Sequence, residues 1–135
     1  MNERKCDNVI VIPVINKMFL EKNLDLLLSI EDYDILIIDD SENDSLYSII
    51  KDEKKIRYIK HDDVIGYGSL FYTGCIYARD LGYRYIINLD SDNYEFIDDI
   101  KSIEEQIKYG YDIITCSRTL ENYNHESLSQ EDISV

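Results

Sequence analysis

Asp90-Ser91-Asp92 directly follows the apolar run Tyr83–Leu89. Paired carboxylates of this kind are hard oxygen ligands suited to Mg²⁺ or Mn²⁺, ions that keep open positions for substrate phosphates. The chain carries 14 Lys+Arg against 28 Asp+Glu, a net charge of −14, and on its own repels a nucleoside diphosphate. A divalent cation held between carboxylates and diphosphate reverses the local sign. It also stabilises negative charge developing on a phosphate leaving group. With 28 acidic residues, a D-x-D arises by chance as well; its place after an apolar strand is what distinguishes this one. A second acidic pair, Asp39-Asp40, ends the apolar run Tyr33–Ile38. One reading has an Asp here capping the turn or the next helix. The other has one carboxylate accepting hydrogen bonds from a base or a ribose.

Gly66-Tyr67-Gly68-Ser69 opens a helical pattern. Glycines at a helix start permit close approach of a phosphate or a substrate backbone. Position 71 is Phe, so the G-x-G-x-x-G dinucleotide fingerprint is not met, and a simple turn is the default. His61 and His125 have no ligand-spaced partner and read as surface residues. Cys6, Cys75 and Cys116 are odd in number and widely spaced, with no C-x-x-C, which reads as reduced thiols in a cytoplasmic protein. The 12 Tyr fall mostly at packing positions and read as core and rim.

The acidic balance argues against nucleic acid, whose phosphate backbone requires a basic stripe, and against electrostatic docking on anionic lipid. No apolar run approaches the roughly 20 residues that span a bilayer. The polar start Met1–Asn8 does not read as a secretory signal.

The elements that must position these groups alternate along the chain. Strands are expected at 9–12, stopped by Pro13, then at 33–38, 56–59, 83–89 and 111–116. Helices are expected at 18–30, after Ser45, at 66–80 and from Phe96 through Ile107. Apolar strands between amphipathic helices predict an α/β fold, a mostly parallel sheet with helices on both faces. In such sheets ligands bind beyond the carboxyl ends of the strands, near a switch in strand order. Both acidic pairs sit at strand carboxyl ends. The expected organisation is one domain over 1–118 and a polar, flexible tail over 119–135.

In order, these segments resemble the family 2 glycosyltransferases, which have the Rossmann-like GT-A fold. Val9-Ile10-Val11-Ile12-Pro13-Val14-Ile15-Asn16 resembles their opening V-I-I-P-T-Y-N strand. Ile37-Ile38-Asp39-Asp40-Ser41-Glu42-Asn43-Asp44 resembles their V-V-D-D-G-S-x-D segment. Gly66-Tyr67-Gly68-Ser69 with Thr73-Gly74 resembles the helix start of the polyprenol-phosphate sugar synthases. Ile87-Asn88-Leu89-Asp90-Ser91-Asp92 resembles the L-D-A-D metal motif, and Tyr111–Arg118 the Y-D-I-V-x-G-S-R strand. The resemblance implies that Pro13 and the backbone of Ile15 line the nucleotide base. It implies that Asp40 hydrogen-bonds the base or ribose, and that Asp90 and Asp92 hold Mg²⁺ or Mn²⁺ and the diphosphate. Arg118 would reach the nucleotide phosphates.

The chain departs from the pattern at several positions. Ile15 replaces an aromatic, Lys17 stands where a Glu is frequent, Ser41-Glu42 replaces Gly-Ser, Tyr94 replaces a Gln, and Ile97 replaces a Pro. The resemblance covers residues 9–118, which reads as the truncated, donor-binding half of such an enzyme. The implied activity is metal-dependent binding of a nucleoside diphosphate sugar and inverting sugar transfer. A polyprenyl phosphate acceptor is already ionised and needs no general base; no catalytic base is identifiable in the sequence. The alternative is a non-catalytic nucleotide-binding or interaction domain that retains the fold. A receiver domain or a D-x-D phosphatase requires its acidic pair after the first strand, where this chain has Pro13.

Overall fold

The computed structural model describes residues 6–16, 18–42, 45–61, 66–89 and 96–115. The chain divides into two compact units, Met1–Phe96 and Ile97–Val135. The first holds strands β1 (Asn8–Val14), β2 (Asp34–Asp39), β3 (Ile56–Lys60) and β4 (Tyr85–Asn88), with helices α1 (Met18–Leu28), α2 (Ser45–Ile50) and α3 (Tyr67–Asp80). All strand pairs are parallel and the order is β3-β2-β1-β4. The α/β, Rossmann-like architecture expected from the alternating pattern is therefore present, with four strands among the described residues.

β1 and β2 are buried along nearly their whole length, as strands covered on both faces must be. Val9, Val11, Leu36 and Ile38 form one face and pack with Leu70 and Ala78 of α3 and with Tyr83. The alternating residues Ile10, Ile12, Ile35 and Ile37 face the other way and are equally buried. α3, which follows β3, lies on the first face. Leu70, Gly74 and Ala78 are spaced by four and form the buried stripe of α3.

Pro13 does not stop β1, as the sequence pattern suggested; the strand runs to Val14, with Pro13 opposite Ile38. The reason lies in ladder geometry. Val14 directs its carbonyl to Asp40 on the β2 side, whereas Val11 directs its carbonyl to Leu89 on the β4 side. Backbone groups alternate sides along a strand, so the N–H that Pro13 lacks belongs to the β4 side. The β1–β4 register ends at Val11↔Asn88, while β1–β2 continues to Val14↔Asp39. Pro13 offers no N–H on the β4 side, whereas the β1–β2 pairing passes through it.

The amino end of the sheet is closed by a buried polar network. Tyr83 donates its hydroxyl to Asp34 Oδ2 at 2.6 Å and accepts from Arg57 Nε at 2.9 Å. Burial, and then the bond to Asp34, push the Tyr83 phenol up to about 12, so it remains a donor. β4 begins at Tyr85 and not at Tyr83, because the Tyr83 N–H is committed to the Ala78 carbonyl at the end of α3, at 3.1 Å, and the register starts at Asn8↔Tyr85.

The second unit contains α4 (Phe96–Ile107) from its second residue onward. The strand expected at 111–116 is absent over its described residues, 111–115, where Tyr111 is exposed and Ile113 is 83% exposed. Alternating apolar residues favour extension, but a strand exists only where a neighbour satisfies its backbone groups. The boundary expected at 118 lies outside the described residues.

Two glycines of α3 are expected to respond oppositely to Ala. A Cβ at Gly74 would overlap Val11 Cγ1 and come within 3.3 Å of Ile38 Cγ1, both in the buried sheet. Gly74→Ala should lower stability by about 1–3 kcal/mol through overpacking. A Cβ at Gly68 meets nothing within 4 Å, so Gly68→Ala should raise stability by about 0.4–1 kcal/mol. Urea unfolding followed by circular dichroism checks both signs.

Candidate functional site

The strand order reverses between β1 and β4, and the candidate site is the carboxyl edge of the sheet around that point. Pro13 is buried, and Ile15, just past the end of β1, is 53% exposed. Asp40 lies next to them, because its N–H donates to the carbonyl of Val14 at 2.9 Å. Three of the expected site residues, Pro13, Ile15 and Asp40, therefore share one edge. Asp90, Asp92 and Arg118 lie outside the described residues. β4 reaches this same edge, with the Leu89 N–H bonded to the Val11 carbonyl.

The adjacent carboxylates of the β2 end have different surroundings. Asp39 is fully buried. Its Oδ1 accepts the Ser41 N–H at 2.8 Å, an Asx turn. Its Oδ2 accepts the Tyr58 hydroxyl at 2.6 Å and pairs with Lys60 Nζ at 3.4 Å. Lys60 also donates to the Ser41 carbonyl. Asp40 is 6% exposed, and its Oδ2 is buried with no hydrogen-bond partner among the described residues. A turn-capping role and an open acceptor were alternatives for this pair; the geometry gives the turn to Asp39 and leaves Asp40 with free acceptor capacity. A buried carboxylate oxygen without a donor is costly, and native structures retain few of them.

Three neighbours of this edge escaped the sequence reading. Tyr58 and Lys60 are two apart in β3 and bond the same carboxylate, which follows from the parallel register Asp39↔Lys60. His61, expected at the surface, is half-buried; its N–H donates to the Asp39 carbonyl at 2.8 Å and its Nε2 lies 3.3 Å from Thr73 Oγ1. The polar end of β3 was the one available signal, and nothing in the sequence pairs His61 with a residue of α3. Tyr67 and Asn88 also meet, with Asn88 Nδ2 3.1 Å from the Tyr67 hydroxyl, which ties the start of α3 to the end of β4. Gly66 enters α3 at φ 83, a conformation that favours glycine, and the helix has no side-chain cap there. The G-x-G pattern thus serves the turn at Gly66.

Burial pushes the Cys6 thiol up, with Asp34 adding to it, and burial alone does so for Cys75. Neither is poised as a nucleophile. Among the described residues, no group of three or more His, Cys, Asp or Glu is placed to hold a metal ion. No helix among them is long and apolar enough to cross a membrane.

In parallel α/β sheets ligands bind at the carboxyl edge near a switch point, and comparison with protein families gives the class of this one. The model of glycosyl transferase family 2 matches residues 9–132 of the 135, and the chain belongs to that family. Comparison with curated proteins and with solved structures gives no match.

The two acidic neighbours are expected to separate in a stability measurement. Asp39→Ala removes the buried acceptor of the Tyr58 hydroxyl, the Lys60 ion pair and the bond to the Ser41 N–H, and should cost about 2–3 kcal/mol. Asp40→Asn removes no hydrogen bond at Oδ2 and should leave the unfolding midpoint nearly unchanged. Parallel urea titrations of the two variants test the contrast.

Proposed function

We propose that this chain binds a nucleoside diphosphate sugar at the carboxyl edge of its sheet and serves as the donor-binding part of an inverting glycosyltransferase. The observation that carries the reading is the buried, unpartnered Oδ2 of Asp40 in a chain of this family. A carboxylate there needs an N–H or O–H donor. The imide N–H of uracil, the N–H groups of guanine and a ribose hydroxyl each supply one, so the proposed donor is a uridine or guanosine diphosphate sugar. Pro13 and the Ile15 backbone, on the same edge, line the base. The exposed Ile15 side chain gives an apolar contact in place of the aromatic of the related pattern.

Asp90 and Asp92 directly follow β4 and Leu89. They are the residues that would hold Mg²⁺ or Mn²⁺, and their all-oxygen donor set fits those ions. Bound there, the ion would offset the diphosphate charge in a chain of net charge −14 and stabilise the leaving nucleoside diphosphate. Arg118, as the resemblance implies, is proposed as the residue that reaches the phosphates. The proposed acceptor is a polyprenyl phosphate, as in the sugar synthases that the Gly66–Gly74 segment resembles. An ionised phosphate attacks the anomeric carbon without a general base, which suits a chain in which none is identified. Such an acceptor would bring a cytoplasmic protein to a membrane surface.

Titration calorimetry with uridine diphosphate and with guanosine diphosphate tests the donor site. One of the two is expected to bind in the presence of Mg²⁺ or Mn²⁺ and to lose that binding in EDTA. Equal affinity with and without the metal would remove Asp90 and Asp92 from the proposal. Asp40→Asn is expected to weaken the same binding by about 1.5–3 kcal/mol, the scale of a hydrogen bond to a charged group. Unchanged affinity in that variant would sink the reading of Asp40. Release of nucleoside diphosphate that depends on added polyprenyl phosphate would extend the reading to turnover. Binding without such release would favour a non-catalytic nucleotide-binding domain.

A further inference from the structure

We infer that Tyr58 and Lys60 are positioning residues for nucleotide recognition, acting through Asp39 to hold Asp40 in a fixed acceptor geometry; the inference rests on the reading of Asp40 as a nucleotide ligand. Both backbone peptides that flank the Asp40 Cα are tied down. On the β1 side, the Asp40 N–H donates to Val14 at 2.9 Å. On the β3 side, the Ser41 N–H donates to Asp39 Oδ1 at 2.8 Å, and the Ser41 carbonyl accepts from Lys60. The carbonyl that precedes this segment, that of Asp39, accepts the His61 N–H at 2.8 Å.

The Asp39 carboxylate that closes the turn is itself held from β3. Tyr58 donates to its Oδ2 at 2.6 Å, and Lys60 adds a charged donor at 3.4 Å. The Tyr58 ring is braced in turn by Tyr47 of α2, with ring centroids 5.3 Å apart. Lys60 has a second effect. Its charge offsets Asp39, so the Asp39–Asp40–Lys60 group carries one net negative charge and not two where an anionic ligand must approach. The backbone that carries the Asp40 carboxylate is ordered before binding, and preorganisation is repaid as affinity.

Tyr58→Phe and Lys60→Met are each expected to weaken binding of uridine diphosphate or guanosine diphosphate, whichever the chain binds, by about tenfold. That is the scale lost when the outer partners of a ligating group are removed. Lys60→Arg, which keeps the charge and the donors, is expected to restore the affinity. The measurement is calorimetry at a temperature where circular dichroism shows each variant folded. The decisive comparison is a double-mutant cycle. A residue that acts through Asp40 loses its effect on affinity once Asp40 is Asn, whereas a merely structural effect on stability persists in both backgrounds. Tyr58→Phe in the Asp40→Asn background should therefore bind nucleotide no more weakly than Asp40→Asn alone. If Tyr58→Phe does not fold, Lys60→Met carries the same cycle. Unchanged affinity in the two single variants, or effects that add fully to that of Asp40→Asn, would overturn the positioning role while leaving Asp40 as a ligand. Unchanged affinity in Asp40→Asn alone would overturn the nucleotide reading itself.

Discussion

The molecule is organised by the double pairing of β1. As a central parallel strand it must bond β2 on one side and β4 on the other, and alternate residues of one strand serve the two sides. Its even-numbered residues serve β2 and its odd-numbered ones β4, as the bonds of Val14 and Val11 show. Pro13 falls on an odd position. It costs nothing toward β2, where pairing continues to Val14↔Asp39, and withholds one N–H on the β4 side.

The two edges of the sheet then differ in how their polar groups are satisfied. At the amino edge, Asp34, Tyr83 and Arg57 bond one another in a buried chain. At the carboxyl edge, donors converge on Asp39 and stop there, and the next residue, Asp40, keeps a buried oxygen without a donor. A satisfied network rigidifies the fold, while an unsatisfied buried group costs stability. Both occur at consecutive residues of one strand end, which separates a structural carboxylate from one available for binding.

Helix α3 joins these features. Its stripe of Leu70, Gly74 and Ala78 sits on the sheet, with Gly74 set so close over Val11 and Ile38 that no Cβ fits. This approach fixes the helix start relative to the strand ends, where Tyr67 meets Asn88 and Thr73 meets His61. Packing on one face of the sheet thereby sets which side chains meet at its carboxyl edge.

Much of this was legible in the amino-acid sequence, because the apolar periods of strands and helices are local properties. The buried strands β1 and β2, the helices α1, α3 and α4, the parallel α/β class and membership of family 2 all follow from residue types in order. The metal pair Asp90 and Asp92 and the phosphate ligand Arg118 are legible as motifs in the same way and stand as proposals. The tertiary structure decided what depends on register and pairing. The passage of β1 through Pro13 required knowing which side of the strand faced β4. The absence of a strand over 111–115 reflects backbone groups that need a neighbour, which alternation cannot supply. The division of labour between Asp39 and Asp40 was set by Tyr58 and Lys60, about twenty residues away. Sequence specifies which residues turn inward; only the packed sheet determines which buried acceptor finds a donor and which does not.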